Sequence, residues 1–448
     1  MHPETADNIR WAVAMLLAVI GCAIAVGASA GSSAEAEEAS AQPNEEPVTE
    51  TAADAVAPIE AAIPTYSTDA LPALVKKTDV PVELPYPAIA GVDRARLIDL
   101  PVIEPDLPRP VQSGYFDEVT LVFTGDNLLG AGMPRYIKQH GEDWPYDAVR
   151  SYLVNADLTF GNLESPITDY PHKTPGKSWE SIKEGRNFIF KAPPEYSGRV
   201  LTAAGFDIVS LANNHAMDYC EQGMADTVMS LDAAGIRYAG AGLDLDRAFA
   251  PVVMNRKGVR IGFIARSKIV PMRSKATEDT PGLAWHGKEY SEELSSAIRE
   301  LRPICDVLVV TFHWGYEGHR RHAPYQQAIA HSAIDDGADL VIGHHPHCLQ
   351  GVELYNGGVI AYSLGNFLFT GASALIESAV LKVTAGRDGV REVELLPCWV
   401  RRGKPEPAWD DRLLRKIQGI CDPCGTELVG GEGWLRVLPA AKPAPAVP

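Results

Sequence analysis

The feature that most constrains the fold of this chain is a series of short apolar runs, each followed by polar residues that can bind a metal ion. The first run, residues 119–123, leads to Asp126. The later runs and the residues after them are 157–160 before Glu164, 206–211 before Asn214 and His215, 306–312 before His313, and 339–342 before His344, His345 and His347. Short apolar runs of this kind predict strands.

Helical stretches separate these strands and indicate the class of fold. Residues 223–234 and 324–336 are two such stretches. Strands that alternate with helices predict a layered α/β fold with its functional side chains at the carboxyl ends of the strands. The remaining predicted strands are residues 258–265, 359–364, 379–384 and 392–400, of which the last two form a closing hairpin.

The polar residues at the strand ends are informative only as a set. An aspartate after a glycine is usually part of a turn, and an Asn-Asn-His sequence is usually a helix cap or a satisfied histidine. Five strand ends with such residues are improbable by chance. Carboxylate and amide oxygens mixed with imidazoles suit one or two divalent ions such as Mn²⁺, Zn²⁺ or Fe²⁺.

The charge composition of the chain limits the classes of partner that it can bind. The chain has 448 residues, with 40 Lys and Arg against 58 Asp and Glu, so its formal net charge is −18. This balance does not favour a nucleic-acid partner. An anionic substrate would need a local source of positive charge, which bound metal ions would supply.

The N-terminal part of the sequence predicts that the protein is directed to a membrane. Residues 11–30 carry no charge over about 30 Å of helix, which favours a transmembrane anchor after a cytoplasmic segment 1–10. Cleavage after Ala30 and lipid attachment at Cys22 are the alternatives. Residues 31–112 have the composition of an acidic, proline-rich linker, followed by a folded domain at 113–438 and a disordered tail at 439–448. The folded domain would then lie outside the cytoplasm.

A single C-x-x-C sequence, Cys421 and Cys424, lies near the end of the folded domain. No second pair of cysteine or histidine ligands follows, so a local disulfide is favoured over a zinc site.

Six short motifs lie within a motif core of residues 119–370. They are Gly125-Asp126, Asn162-Leu163-Glu164, residues 212–219, residues 313–317, residues 343–347 and residues 363–367. Together they resemble the calcineurin-like metallophosphoesterase pattern and, more specifically, the bacterial CapA family of poly-γ-glutamate capsule biosynthesis proteins. The resemblance implies a four-layer α/β/β/α metallophosphoesterase-like sandwich with a metal site at the sheet edge.

The resemblance also implies a role for each residue. Asp126 and His347 would bind one ion, Asn214, His313 and His345 the other, with Glu164 between them. His215 would donate a proton to the leaving group, and Asp218 would orient it or cap the next helix. Residues expected to support the ligands or contact substrate are Asn162, Asn213, His344, Glu317 and Asn366.

Two positions depart from the pattern. The phosphoesterase pattern has a histidine two residues after the first aspartate, where this chain has Leu128, so one ion loses a ligand. The family generally has a glycine where this chain has Cys220, which would alter the local turn.

The function implied is that of a metal-dependent hydrolase or transferase in the biosynthesis, release or anchoring of an anionic capsule polymer such as poly-γ-glutamate. Its partners would be the polymer or another small anionic substrate, the membrane, and the subunits of a polymer synthase complex. Two alternatives stay open. One is a phosphoesterase acting on a phosphorylated surface substrate, and the other is a non-catalytic scaffold of the synthase complex.

Overall fold

A computed structural model describes residues 118–175, 188–271, 273–287, 291–371, 375–430 and 433–440. The predicted anchor at 11–30 and the linker at 31–112 lie outside these ranges and stay predictions. Among the residues described, every helix is too short or too polar to cross a bilayer.

The described residues form eighteen strands and eight α-helices. The strands are β1 Glu118–Asn127, β2 Leu158–Leu163, β3 Ile208–Ser210, β4 Arg237–Ala239, β5 Ala241–Gly242, β6 Val252–Arg256, β7 Val259–Ser267, β8 Gly282–Leu283, β9 Val307–His313, β10 Leu340–His344, β11 Val352–Tyr355, β12 Gly358–Ala361, β13 Asn366–Leu368, β14 Ile376–Gly386, β15 Gly389–Arg401, β16 Lys404–Pro407, β17 Thr426–Gly430 and β18 Leu435–Pro439. The α-helices are α1 Met133–His140, α2 Arg150–Val154, α3 Ser197–Ala204, α4 Cys220–Ala234, α5 Leu245–Phe249, α6 Ser291–Leu301, α7 Pro324–Asp335 and α8 Asp411–Cys421.

Two mixed sheets organise these elements. The larger has the order β17-β18-β15-β14-β1-β2-β3-β4, with β13 paired to β1 and β16 to β15. Strands β1 to β4 are parallel, whereas β14 runs antiparallel to β1. The second sheet has the order β11-β12-β10-β9-β7-β6, with β7, β9, β10 and β12 parallel. Strands β5 and β8 form a small separate pair. The prediction of an α/β fold is confirmed.

Three hydrophobic clusters explain how the sheets and helices pack. The first joins the two sheets, where the ring of Phe160 on β2 stacks on Phe263 of β7 at 5.7 Å between centroids. The second joins the larger sheet to helices that include α1, α3 and α4. The third joins the second sheet to α6 and α7.

Burial on both faces also explains why the strands appear as continuous apolar runs. On β1, Leu121 and Phe123 face the core between the sheets, while Val122 faces the helices. A parallel strand covered on both sides has no polar face to alternate with. The five predicted strands that carry the site are confirmed as β1, β2, β3, β9 and β10, and the two predicted helices as α4 and α7.

The C-terminal part differs most from the sequence-based expectation. Helix α8 and strands β16 to β18 were not predicted, and β18 includes Pro439, one residue into the expected tail. The expected disulfide is wrong in this structure, because Cys421 and Cys424 are free thiols. Cys421 is buried in the core between the sheets, whereas Cys424 packs against the cluster under α6 and α7. The two side chains therefore pack in different hydrophobic clusters.

Candidate metal centre

The two sheets meet at the carboxyl ends of their parallel strands, and the polar residues gather there. The larger sheet supplies Asp126 at the end of β1, Glu164 after β2 and residues 213–215 after β3. The second sheet supplies His313 at the end of β9 and residues 344–347 at and after β10. Candidate metal ligands from both sheets therefore face one another.

Two glycines allow the backbones to approach closely at this edge. A Cβ at Gly125, before Asp126, would lie 1.9 Å from the carbonyl oxygen of Gly365. A Cβ at Gly343 would lie 2.0 Å from the carbonyl oxygen of Tyr362. Because neither contact is sterically allowed, both positions need glycine. The backbone N–H of Asp126 in turn donates to Gly365 O at 2.9 Å.

A chain of amides holds the first carboxylate in place. Asn162 Nδ2 donates to Asp126 Oδ1 at 2.9 Å, and Asn213 Nδ2 donates to Asn162 Oδ1 at 3.0 Å. The other oxygen of Asp126 accepts the backbone N–H of His345 at 3.3 Å. Asn162 and Asn213, expected to support the ligands, thus orient Asp126 from behind.

The imidazoles surround a second carboxylate. Glu164 Oε1 lies 3.8 Å from His313 Nε2 and 3.7 Å from His347 Nε2. His313 Nε2 also lies 2.7 Å from Asn214 Oδ1. His347 Nδ1 lies 2.9 Å from Asn366 Oδ1 and 3.4 Å from Asp126 Oδ2.

Several atoms of this cluster are buried without a hydrogen-bond partner among the described residues. They include both carboxylate oxygens of Glu164 and the Nδ1 atoms of His313 and His345. Burying an unsatisfied carboxylate is costly, so such groups are rare in folded proteins. A cation between them would satisfy the acceptors at once. The donor set therefore fits divalent metal ions.

Three combinations of side chains bring their ligand atoms within 4.8 Å of one another. They are Glu164, His313 and His345; Asp126, Glu164 and His347; and Glu317, His345 and His347. The first set is fully buried, whereas Glu317 in the third is exposed. Glu164 belongs to two sets and lies between them. Buried clusters of this kind could hold metal ions.

The protonation of the metal-free cluster follows from burial and from the neighbouring charges. Burial raises the pKa of Glu164 well above its usual value, and the charge of Asp126 raises it further. Burial would also raise the pKa of Asp126, but the neighbouring imidazoles of His344 and His347 hold it well below its usual value.

The pKa values of His345 and His347 shift in opposite directions for the same reasons. Burial lowers the pKa of His345 to about 3. Burial acts against the charged form of His347 too, but Glu164 and Asp126 outweigh it and raise that pKa to about 10. The metal-free site thus holds a proton on His347 that a metal ion would have to displace.

His215 lies beside the cluster with its ring held by two groups. Its Nδ1 is 2.9 Å from Asp218 Oδ2, and its ring centroid is 4.5 Å from that of Phe190. Asp218 Oδ2 also accepts the backbone N–H of Phe190 at 2.8 Å. The N-cap position of α4 belongs to Tyr219, so Asp218 orients His215 and does not cap this helix.

His344 and Leu128 lie outside the three candidate metal sets. Both are buried, and His344 Nδ1 lies 3.5 Å from Asp126 Oδ1 with its ring against Phe160. His344 belongs to none of the three candidate metal sets found among the described residues. No polar atom at position 128 replaces the histidine of the phosphoesterase pattern.

Sequence reasoning missed one ion-pair group next to the site. The buried carboxylate of Glu377 on β14 lies 2.5 Å from Arg320 Nε and 2.6 Å from Lys416 Nζ. This group ties the loop after β9 to α8. Its members are 57 and 39 residues from Glu377, and no local pattern connects them.

Residues 344–347, which we call the histidine loop, have an unusual backbone. His345 and His347 have φ angles of 97° and 54°, and Cys220 near His215 has 59°. This left-handed region is uncommon for residues other than glycine, asparagine and aspartate. With this backbone, ligand nitrogens of His345 and His347 lie within 4.8 Å of each other and of the Glu317 carboxylate.

An α/β protein whose two sheets converge on buried carboxylates and imidazoles has the form of a candidate metalloprotein. The chain belongs to the family of bacterial capsule synthesis proteins, PGA_cap, which matches residues 120–371. The resemblance to the CapA family is therefore confirmed.

Individual relatives agree with this assignment. The chain is 30% identical over 300 residues to the capsule biosynthesis protein CapA of Bacillus anthracis, which covers 66% of this chain and 71% of the relative. It is 31% identical over 310 residues to the PGA biosynthesis protein CapA of Bacillus subtilis (strain 168), covering 68% and 78%. A solved hypothetical protein from Thermus thermophilus aligns with a TM-score of 0.37 and 17% identity, over 64% of this chain and 100% of that one, which is too weak a likeness to bear on function.

Proposed function

We propose that this chain is a metal-dependent hydrolase or transferase that acts on an anionic capsule polymer, with poly-γ-glutamate as the leading candidate. The names of its relatives, capsule biosynthesis protein and PGA biosynthesis protein, support this polymer class. The two-sheet core with helices on both outer faces supports the finer assignment to a metallophosphoesterase-like sandwich.

The single observation that carries the catalytic part is the environment of Glu164. Its two oxygens are fully buried without a hydrogen-bond donor among the described residues, while histidines from the opposite sheet face one of them. A purely structural carboxylate would be paired with a donor or replaced by an apolar residue. The arrangement instead favours a residue kept for binding cations.

Each group of residues has a separate role in the proposed reaction. Divalent ions held by these residues would supply Lewis acidity, which would polarise the bond under attack and make water an effective nucleophile near neutral pH. Glu164 lies between two ligand groups, one with His313, His345 and Asn214 and the other with Asp126 and His347. Asn162 and Asn213 fix the position of Asp126.

His215 provides the proton for the leaving group. Asp218 accepts the hydrogen bond from Nδ1, which keeps a proton on that nitrogen and leaves Nε2 as the atom that exchanges a proton with substrate. No described residue forms a hydrogen bond with Nε2. In an amide or phosphoester reaction, a proton carried on Nε2 would pass to the departing nitrogen or oxygen, while Nδ1 keeps its own proton.

The test combines metal analysis with a choice of substrates. Purified protein is stripped with a chelator, reloaded with Mn²⁺, Zn²⁺ or Fe²⁺, and incubated with poly-γ-glutamate and with p-nitrophenyl phosphate. We expect metal-dependent cleavage or transfer at γ-glutamyl bonds. Turnover of the phosphoester alone would favour a phosphoesterase. Absence of bound metal and of both activities would favour the non-catalytic scaffold of a synthase complex.

The place of action is a separate part of the proposal. The uncharged segment at 11–30 and the linker after it would hold the folded body outside the cytoplasm, near the membrane. Cell fractionation should place the full-length protein in the membrane and a form starting at Gln112 in the soluble fraction. Recovery of a wild-type soluble species that begins at Gly31 would show cleavage of the segment instead.

A further inference from the structure

The two candidate ligand groups that share Glu164 differ in their number of protein ligands and in their exposure to solvent. The buried group contains Glu164, His313 and His345, with Asn214 Oδ1 only 2.7 Å from His313 Nε2. The other group has Asp126, Glu164 and His347, and His347 keeps 22% of its side chain exposed. The second group therefore has one protein ligand fewer and opens toward solvent.

Glu317 lies on that open side. Its carboxylate comes within 4.8 Å of ligand nitrogens of both His345 and His347. No described residue donates a hydrogen bond to this carboxylate or forms an ion pair with it. An exposed carboxylate this close to the ligand nitrogens of two imidazoles is placed to share a cation with them.

The backbone holds Glu317 in this place. Its loop follows β9 and is tied to the histidine loop at two points, where Trp314 N–H donates to His344 O at 3.0 Å and Gly318 N–H donates to Pro346 O at 2.8 Å. Gly315, with φ of 90°, permits the turn between these points. Backbone hydrogen bonds between the two loops thus fix where Glu317 lies relative to the histidines.

We propose that Glu317 is the fourth protein ligand of the solvent-facing ion, together with Asp126, Glu164 and His347. This inference rests on the proposed metal-dependent function. His344 is the other residue that could complete the group, because its Nδ1 lies 3.5 Å from Asp126 Oδ1, but it is buried, whereas Glu317 lies with His347 on the solvent side. Glu317 would thereby supply the coordination that Leu128 cannot.

The assignment has a consequence for the two ions. The ion among Glu164, His313 and His345 would be enclosed by buried groups, whereas the ion held by His347 and Glu317 would be reached directly from solvent. We therefore expect one slowly exchanging and one readily exchanging ion. The exchangeable ion is the one whose affinity depends on Glu317.

The experiment measures metal binding without an activity assay. Full-length protein is stripped with a chelator and titrated with Mn²⁺, and free Mn²⁺ is followed by electron paramagnetic resonance. Wild type should bind two equivalents. Glu317→Gln should bind the first normally and the second at least about 10-fold more weakly, while Glu317→Asp should lie between them. Glu427→Gln, an exposed glutamate on β17, is the matched control and should behave as wild type.

Each other result has a defined meaning. Two equivalents bound by Glu317→Gln with wild-type affinity would overturn the inference, even if turnover fell, because Glu317 would then contact substrate. Loss of the second ion in His344→Asn but not in Glu317→Gln would transfer the role to His344. If wild type binds no Mn²⁺, the proposed function fails together with this inference. Thermal melting of each variant checks folding, and the exposure of Glu317 predicts little change.

Discussion

The carboxylate of Asp126 accepts the backbone N–H of His345 at 3.3 Å, although the two residues are 219 positions apart in the chain. Asp126 ends β1 in the larger sheet, and His345 follows β10 in the second sheet. One side chain therefore joins the sheets and also contributes to the candidate metal centre. Its charge and its hydrogen bonds can be separated by substitution.

Replacing Asp126 should destabilise the protein even without metal. Asp126→Ala removes the acceptor of the His345 N–H and of Asn162 Nδ2, and we expect the free energy of unfolding to fall by about 1–3 kcal/mol. Asp126→Asn keeps a carbonyl acceptor and should cost less. Urea denaturation in the presence of a chelator measures both. Equal stability of wild type and Asp126→Ala would show that these hydrogen bonds contribute nothing.

Metal-free protein should lose stability as the pH rises from about 6.5 to about 10. The folded-state pKa of His347 is about 10 against an ordinary 6.5, so the stability from its proton is complete below 6.5 and is lost as pH rises through 10. Glu164, whose pKa is also raised, acts in the same direction. The lowered pKa values of His313 and His345 affect stability only below about 6.5.

Bound metal should reverse this trend, because it replaces the proton on His347. We expect the difference in Tm between Mn²⁺-loaded and metal-free protein to widen between pH 7 and pH 9.5. Differential scanning calorimetry of both forms measures it. In His347→Asn the metal-free pH dependence should be flatter than in wild type. A difference that stays constant with pH would contradict the assignment of that proton.

Replacing His215 should separate metal binding from turnover. His215→Ala should keep nearly full metal content while turnover falls by roughly 10²–10⁴-fold, because the proton donor is lost and the ligands remain. His347→Asn and Asn214→Ala should lose metal as well. Metal content per chain and turnover are measured on the same preparations. Equal metal loss in all three would make His215 a ligand, and unchanged turnover would assign the proton to another group.

Replacing Cys220 with glycine should stabilise the fold. Cys220 begins α4 with φ of 59°, a conformation that costs an ordinary residue about 1 kcal/mol relative to glycine. We expect Cys220→Gly to raise the free energy of unfolding by about 0.5–1 kcal/mol. Cys220→Ala removes the thiol and keeps the strain, so it should resemble wild type. A gain in the alanine variant as large as in the glycine variant would attribute the effect to the thiol.

The sequence was informative where structure and chemistry follow from neighbouring residues. The strands of the site are buried on both faces, so they appear as continuous apolar runs, and Asp126, Glu164 and His313 lie at or directly after them. The order of these segments was enough to predict an α/β fold and the edge at which the ligands meet.

What the sequence did not reveal depends on contacts between distant segments or on weak local patterns. Strand β17 is mostly exposed and short, so it resembles a loop. The pairing of Arg320 with Glu377 has no local signature. Glu317 was expected only to support the ligands or contact substrate, because its approach to His347 depends on hydrogen bonds between two loops.

The left-handed backbone at His345 and His347 affects how mutagenesis of this loop should be interpreted. Each of these positions must accommodate both an imidazole and a positive φ, so alanine removes a candidate ligand and also occupies a conformation that it disfavours. An alanine scan would therefore overstate the metal-binding role of both residues. Asparagine tolerates the same backbone and isolates the loss of the imidazole. Glycine allows the backbone but lets the loop relax, so the difference between the two replacements reports how far the peptide chain itself aims the ligands.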